Sequence, residues 1–133
     1  MLSENYKTND RIEEIDPLLK VQDESRQSVI INQLKKVFNR KKVAVDNLSL
    51  NMYQGQISVL LGHNGAGKTT TISMITGMIP PTSGRVSITG MSLEDELSEI
   101  RKIMGVCPQH DILYDDLTVK EHLEMFAIFK GMN

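Results

Sequence analysis

With 133 residues, of which 40% are hydrophobic, the chain has the size and apolar content of one ordinary globular domain. Its formal net charge of -2 provides no broad positive field, which excludes nucleic acid as a main partner. No stretch approaches the roughly 20 consecutive apolar residues of a bilayer-spanning helix, and no apolar signal core follows the first residues, so a soluble, cytosolic chain is expected. The single cysteine, Cys107, excludes an internal disulfide and is expected to be buried as a small apolar residue.

Residues 1–27 differ in composition from the rest. They hold seven acidic and four basic residues and few clustered apolar ones. This pattern is typical of a linker or tail, so residues 28–133 are expected to form the folded part.

The first half of residues 28–133 has the pattern of β-strands. The β-branched run at Val29–Ile31 predicts a strand that continues to Phe38, and the basic residues 39–42 are expected to be a solvated hairpin tip. A second, alternating strand over Val43–Leu50 is followed by a turn at Tyr53–Gly55. The apolar run Ile57–Leu61 predicts a strand buried on both faces.

The second half alternates between helix and strand. A helix is predicted over Lys68–Met78, with an apolar face that would pack on the preceding strand and consists of Ile72, Ile75, Met78 and Ile79. There follow a turn at residues 82–84 and a strand over Arg85–Thr89. The pattern then predicts a helix over Ser92–Lys102, which Ser92 and Asp95 would cap, and a strand over Ile103–Cys107. A capping box at Thr118 and Glu121 then opens a helix with Val119, Leu123 and Phe126 on one face. The order predicts an α/β sheet with an antiparallel portion at its front edge.

One motif carries chemistry. Residues 62–69 have a glycine followed after four residues by glycine, lysine and threonine, and they lie between a predicted strand and a predicted helix. Glycines let successive backbone N–H groups turn towards phosphate oxygens, and the following helix directs its positive end at them. Lys68 can then reach the β and γ phosphates of a nucleotide, and the Thr69 hydroxyl can bind the accompanying Mg²⁺.

Three stretches together resemble the nucleotide-binding domain of ATP-binding cassette transporters. They are residues 60–71, the Pro-Pro-Thr-Ser-Gly segment at 80–84, and Gly-Val-Cys-Pro-Gln-His at 105–110. His63 after the first loop glycine, the Val-Cys-Pro-Gln-His run and the later Leu-Thr-Val-Lys-Glu-His resemble subfamily A, the large lipid-exporting members. The resemblance runs from about Ile30 to Asn133 and implies a P-loop NTPase fold, with a RecA-like core and an antiparallel β edge, in truncated form.

The resemblance also implies roles for individual residues. The Walker A loop would bind ATP through Gly62, His63, Asn64, Gly65, Ala66, Gly67, Lys68, Thr69 and Thr70. Gln109 would be the Q-loop glutamine, which contacts Mg²⁺ and the attacking water. The candidate catalytic residues are therefore Lys68 and Gln109. The candidate metal ligands are Thr69 and Gln109. Phe38 lies where the family places an aromatic residue that stacks on adenine. His63 is otherwise interpreted as a solvated loop residue, Phe38 as an edge-strand core residue, and Gln109 as a loop amide.

Hydrolysis requires groups that the sequence does not supply. A buried strand ending in an aspartate should hold Mg²⁺, but Ile112–Asp116 is too short and reads as a polar loop. The three histidines lack metal-site spacing, and His122 is expected at the surface. The family's remaining motifs would lie beyond Asn133, so we expect Ile57–Leu61 to lack a ladder partner on one side and the isolated chain to be poorly stable.

The leading hypothesis is therefore the front part of a transporter ATPase at the cytoplasmic face of a membrane. Its partners would be a transmembrane domain and a second nucleotide-binding domain, with membrane contact only through segments outside this chain. The alternatives are a non-hydrolysing ATP-binding regulatory module and an unrelated phosphate-loop kinase or GTPase. The last is disfavoured because neither an Asn-Lys-x-Asp segment nor an arginine-rich lid follows the loop.

Overall fold

The computed structural model describes residues 16–25, 27–39 and 41–132. It contains a four-stranded sheet and four helices. In chain order these are α1 (Pro17–Glu24), β1 (Ser28–Phe38), β2 (Lys42–Tyr53), α2 (Lys68–Ile75), β3 (Ser83–Ile88), β4 (Met91–Ser92), α3 (Leu97–Ile103) and α4 (Val119–Phe129).

The sheet is antiparallel throughout, with the strand order β2-β1-β3-β4. The predicted course of β1 to Phe38 and the turn at Tyr53–Gly55 are confirmed, and Gly55 takes a φ of 77° there. Residues 54–82, which include the predicted phosphate loop, form an excursion between β2 and β3, because β3 returns to pair with β1. Of the predicted hairpin tip, Arg40 lies outside the described residues.

The core lies between the sheet and the helices α2 and α3. Its fully buried members include Ile31 and Leu34 of β1, Met74 of α2 and Ile100 of α3. Burying side chains of this size contributes about 1.5–3 kcal/mol each. The core therefore fixes α2, and with it the end of the predicted phosphate loop, against β1.

Two predicted strands do not form. Residues 56–63 belong to no strand, and the side chain of Ile57 is 95% exposed. Ile103 ends α3 instead of starting a strand, and residues 104–108 make no ladder. Their β-branched composition was a valid propensity signal, but a strand also needs a neighbour to receive its N–H and C=O groups, and neither segment has one among the described residues.

The helices differ from the predictions at their ends and faces. The helix α2 stops at Ile75 and buries Thr71 and Met74. Of the predicted face, Ile75 and Ile79 pack against the core in part, whereas Ile72 is half exposed and Met78 lies exposed beyond the end of the helix. The helix α3 begins five residues later than predicted. The reason is that Ser92 pairs with Ser87 in the sheet, and the backbone N–H of Ser92 donates to the Glu96 carboxylate at 2.8 Å.

The segment expected to be a linker contains the helix α1. Gln22 joins it to the end of β2, because its side-chain oxygen accepts a hydrogen bond from the Gln54 N–H at 2.8 Å. Residues 1–15 lie outside the described part of the chain. The division at residues 27 and 28 stays a prediction.

Two further burial predictions are wrong. Cys107 is exposed, because the segment that carries it is not covered by a sheet. His122 is 8% exposed, on the inner side of α4, instead of at the surface. Its Nδ1–H donates to the Thr118 carbonyl at 3.0 Å, and its Nε2 accepts from the Tyr114 N–H at 2.8 Å. His122 therefore fastens the preceding loop to α4, while the predicted face residues Val119 and Leu123 are exposed.

The capping box of α4 is confirmed. The Thr118 hydroxyl accepts from the Glu121 N–H, and the Glu121 carboxylate accepts from the Thr118 N–H at 2.8 Å. The carboxylate also accepts from the Thr118 hydroxyl at 2.7 Å. These bonds from the side chain and the backbone of Thr118 hold the pKa of the Glu121 carboxyl below its ordinary value of 4.5.

Candidate functional site

The predicted phosphate loop forms a tight turn that leads into α2. The Ala66 N–H donates to the His63 carbonyl at 3.1 Å, and Gly65 and Gly67 take φ angles of 85° and 93°. These angles lie in the left-handed region, which glycine adopts without steric cost. Of the two glycines that the motif fixes, Gly62 and Gly67, only Gly67 takes such an angle; the other is at Gly65, a position that the motif leaves open.

Gly67 also allows the loop to approach β2 closely. A Cβ atom at this position would lie 2.4 Å from the Ala44 carbonyl oxygen and 3.2 Å from Cγ2 of Val45. A larger residue would therefore push the loop away from the strand. This contact places the start of α2 beside the β1–β2 hairpin.

The first turn of α2 is suited to binding an anion. Gly67 is its N-cap residue and supplies no side-chain hydrogen bond, so no cap competes for the N–H groups of the first turn. Such N–H groups have no partner within the helix, and they lie at the positive end of the helix dipole. Together with the loop they form the arrangement that favours a phosphate group.

The ammonium group of Lys68 lies within the loop. Its Nζ donates to the Gly62 carbonyl at 2.6 Å and to the His63 carbonyl at 2.9 Å. A lysine ammonium has three N–H donors. Lys68 can therefore brace the loop with two donors and direct the third at a phosphate oxygen.

A cleft of about 340 Å³ joins this loop to the β1–β2 hairpin and to the segment after α3. This volume is within the usual range of about 300–1,000 Å³ for small-molecule sites. Its wall combines predicted binding residues from three parts of the chain: Phe38, Asn64, Gly65, Gly67, Lys68, Thr69, Thr70 and Gln109. The fold thus brings together residues that are up to 71 positions apart in the sequence.

Three predicted binding residues are not part of this wall. Gly62 and His63 instead accept hydrogen bonds from Lys68 through their carbonyl groups, and Ala66 lines a different cavity beside Val45 and Leu61. The His63 side chain is exposed, as predicted, and its Nδ1–H donates to the Asn64 carbonyl at 2.8 Å. These residues shape the loop and do not line the cleft.

The wall also contains a cation that the sequence reasoning missed. Lys42 was assigned to a solvated hairpin tip, but it lines the cleft together with Val43 and Ala44. It is the direct cross-strand partner of Phe38, so the two side chains lie on the same face of the hairpin. The sequence carries no signal for this place, because the cross-strand register that sets it is defined by the fold.

The comparison with known proteins identifies the domain to which this site belongs. The family model of the ABC transporter domain matches residues 45–132, more than half of the chain. The chain belongs to the ABC transporter family.

Two of the similar curated proteins are members of subfamily A. The chain is 58% identical over 106 residues to the human phospholipid-transporting ATPase ABCA3, covering 77% of this chain and 6% of that protein. It is 52% identical over 105 residues to rat ATP-binding cassette sub-family A member 2, covering 78% of this chain and 4% of that protein. The chain therefore spans only a small part of the length of these relatives.

A solved structure confirms the fold class. An ATP-binding subunit of an ABC transporter superposes with a TM-score of 0.70 at 30% identity, covering 79% of this chain and 43% of that subunit. The predicted P-loop NTPase fold is therefore confirmed, although the sheet that forms here is its antiparallel part. None of the helices in the described part of this ABC transporter domain has the length and apolar character to cross a bilayer.

Proposed function

We propose that this chain is the ATP-binding part of a subfamily A transporter ATPase, which couples ATP binding and hydrolysis to the movement of lipid across a membrane. The supporting observation is the single cleft that contains Phe38, the loop at the start of α2, and Gln109. The similarity to a phospholipid-transporting ATPase supports the lipid class.

The nucleotide would extend along the cleft between the hairpin and the loop. Its adenine would stack on the ring of Phe38, which is 38% exposed, and such stacking is worth about 1–3 kcal/mol per base in nucleic-acid complexes. Its phosphates would accept hydrogen bonds from the first-turn N–H groups of α2 and from Lys68. Lys42 adds a second positive charge to the same wall.

The donor set of the cleft fits Mg²⁺. The Thr69 hydroxyl and the Gln109 side-chain carbonyl are oxygen ligands of the kind that Mg²⁺ prefers, and both line the cleft beside Lys68. The bound cation would neutralise charge on the phosphate oxygens. Thr69 and Gln109 would hold the cation in the cleft that Lys68 also lines.

Hydrolysis requires a further group. Among the described residues, no aspartate or glutamate lines the cleft, and no cluster of acidic or histidine side chains could hold a metal ion. We therefore propose that this chain by itself binds ATP with little hydrolysis. In the whole transporter, a transmembrane domain and a second nucleotide-binding domain would be its partners, with this domain at the cytoplasmic face.

Titration calorimetry with Mg-ATP tests the proposal. Replacing Lys68 with alanine removes a charge-assisted hydrogen bond worth about 1.5–3 kcal/mol, so ATP affinity should fall at least about tenfold. Lys120→Ala is the matched control, because Lys120 is exposed on α4 and makes only a 3.7 Å ion pair with Glu124. Equal ATP affinity in the wild-type chain and in Lys68→Ala would refute the proposed site.

A measurement of phosphate release addresses the hydrolysis claim separately. The wild-type chain should bind Mg-ATP while releasing phosphate no faster than the Lys68→Ala variant does. Turnover that depends on Lys68 would show that the described residues suffice for hydrolysis, contrary to the proposal.

A further inference from the structure

Lys36 lies against the ring of Phe38. The two residues are two positions apart on β1, so their side chains share one face of the strand. The Lys36 ammonium lies over the ring, 5.3 Å from its centroid, within the distance at which a cation is attracted to an aromatic face. The neighbouring Lys35 instead forms a 2.7 Å ion pair with Asp46.

A hydrogen bond holds the Lys36 ammonium in this place. Its Nζ donates to the Pro80 carbonyl at 2.5 Å. The segment that carries Pro80 is itself attached to β1, because the Val37 N–H donates to the Thr82 hydroxyl at 3.0 Å and the Thr82 N–H donates to the Lys35 carbonyl at 2.8 Å. The ammonium is therefore fixed to a backbone carbonyl that cannot move independently of the strand.

The two faces of the Phe38 ring are consequently not equivalent. Phe38 lines the cleft, whereas Lys36, whose ammonium lies over the Phe38 ring, is not part of the cleft wall. A planar base entering the cleft would find one ring face already taken by the ammonium. Only the other face is available for stacking.

We propose that Lys36 is a positioning residue for the nucleotide base: its ammonium, anchored by the Pro80 carbonyl, holds one face of the Phe38 ring and presents the opposite face to adenine. This inference rests on the proposed ATP-binding function. It adds a physical link between Phe38 and the segment that follows α2, since Pro80 lies beyond the end of that helix. Lys36 would thus act through Phe38 without touching the nucleotide.

A comparison of two ligands separates this role from a general structural one. Mg-ATP has a base, whereas inorganic tripolyphosphate with Mg²⁺ has the phosphates alone. Both are titrated calorimetrically into the wild-type chain and into Lys36→Met, which keeps the unbranched stem but loses the cation. The free energy of attraction between a cation and an exposed aromatic ring corresponds to about a two- to fivefold change in a binding constant. Lys36→Met should therefore weaken ATP binding by about this factor and leave tripolyphosphate binding unchanged.

Three further variants complete the design. Lys36→Arg keeps a cation that can lie over the ring and a donor for the Pro80 carbonyl, so it should retain most of the ATP affinity that Lys36→Met loses. Lys36→Gln keeps a donor without the charge, and it should resemble Lys36→Met, for which it also substitutes if that variant fails to fold. Lys35→Met is the matched control on the adjacent position, and it should leave both affinities unchanged.

The possible outcomes distinguish the inference from the proposed function. The inference is overturned if the wild-type chain binds ATP and all charge-removing variants at Lys36 bind it equally well. It is also overturned if those variants lose ATP and tripolyphosphate affinity by the same factor, because Lys36 would then act on the phosphates or on the fold. A wild-type chain that binds neither ligand would refute the proposed function itself, and with it this inference.

Discussion

The close approach of Gly67 to β2 gives the sharpest test of the loop geometry. We predict that Gly67→Ala destabilises the chain much more than Gly65→Ala. Both glycines have similar positive φ angles, 93° and 85°, so alanine costs about 1–2 kcal/mol of backbone strain at either position. At Gly65 the new methyl group would meet nothing within 4 Å, whereas at Gly67 it would lie 2.4 Å from the Ala44 carbonyl oxygen.

The difference between the two variants isolates the steric contact. Ala44 belongs to β2, so its carbonyl cannot retreat without disturbing the strand. Overpacking of this kind typically adds about 1–3 kcal/mol, which gives a total of about 2–5 kcal/mol for Gly67→Ala. Urea unfolding of the two variants and the wild type measures these free energies, and ATP titration should show a parallel loss of affinity. Equal destabilisation by the two substitutions would contradict the placement of the loop against β2.

Three further predictions concern the rest of the fold. Thr118→Ala removes the cap of α4 and should lower the free energy of unfolding by about 1 kcal/mol in urea; an unchanged value would show that the capping box is dispensable. The hydrogen bonds of Thr118 lower the pKa of the Glu121 carboxyl in the folded state. The stability that the charged carboxylate contributes is therefore complete above its ordinary pKa of 4.5, and it is lost as the pH falls through the lower folded pKa. Acid titration followed by circular dichroism should therefore show a loss of helix below that pH that is smaller in Glu121→Gln, and identical profiles would disprove the linkage. Ser28 has a buried hydroxyl with no hydrogen-bond partner among the described residues, so Ser28→Ala should leave the unfolding free energy unchanged or raise it by up to about 1 kcal/mol, whereas a clear loss would reveal a hidden partner.

The features that the sequence predicted well are those encoded locally. Gly67, which the motif at residues 62–69 fixes as glycine, takes the positive φ angle that only glycine adopts freely, and the pair Thr118 and Glu121 forms the predicted capping box. The course of β1 to Phe38 also follows from a local run of strand-forming residues. Each of these features depends on residues within a few positions of one another, so a single sequence contains the whole signal.

The failed predictions depend on partners distant in the sequence. The run Ile57–Leu61 has strand-forming residues but no neighbouring strand, so its side chains are exposed. The same lack of cover leaves Cys107 exposed, and the burial of His122 depends on the Tyr114 segment folding back over α4. In each case the local pattern indicates a propensity, and tertiary contacts determine the structure that forms.

The candidate site was partly predictable for the same reason. Thr69 and most of the loop residues follow from the motif, and Phe38 and Gln109 follow from the family resemblance. All of these line the cleft except Gly62, His63 and Ala66. Lys42 and Lys36 could not be assigned from composition, because a lysine beside a hairpin is usually solvated. Their places depend on the cross-strand register with Phe38 and on the bond to Pro80, which only the fold defines.

The excursion between β2 and β3 has a consequence for the order of folding. The β1–β2 hairpin joins neighbouring segments and can form on the microsecond scale, at about 1–10 μs. The pairing of β3 with β1 must first close a chain loop that spans residues 54–82, which makes it the slower, entropically limited step. The bonds of Lys36 and Thr82 form only when this closure is complete. Refolding monitored with a fluorescent ATP analogue should therefore show nucleotide binding in step with the late phase, after the hairpin has already gained its β signal.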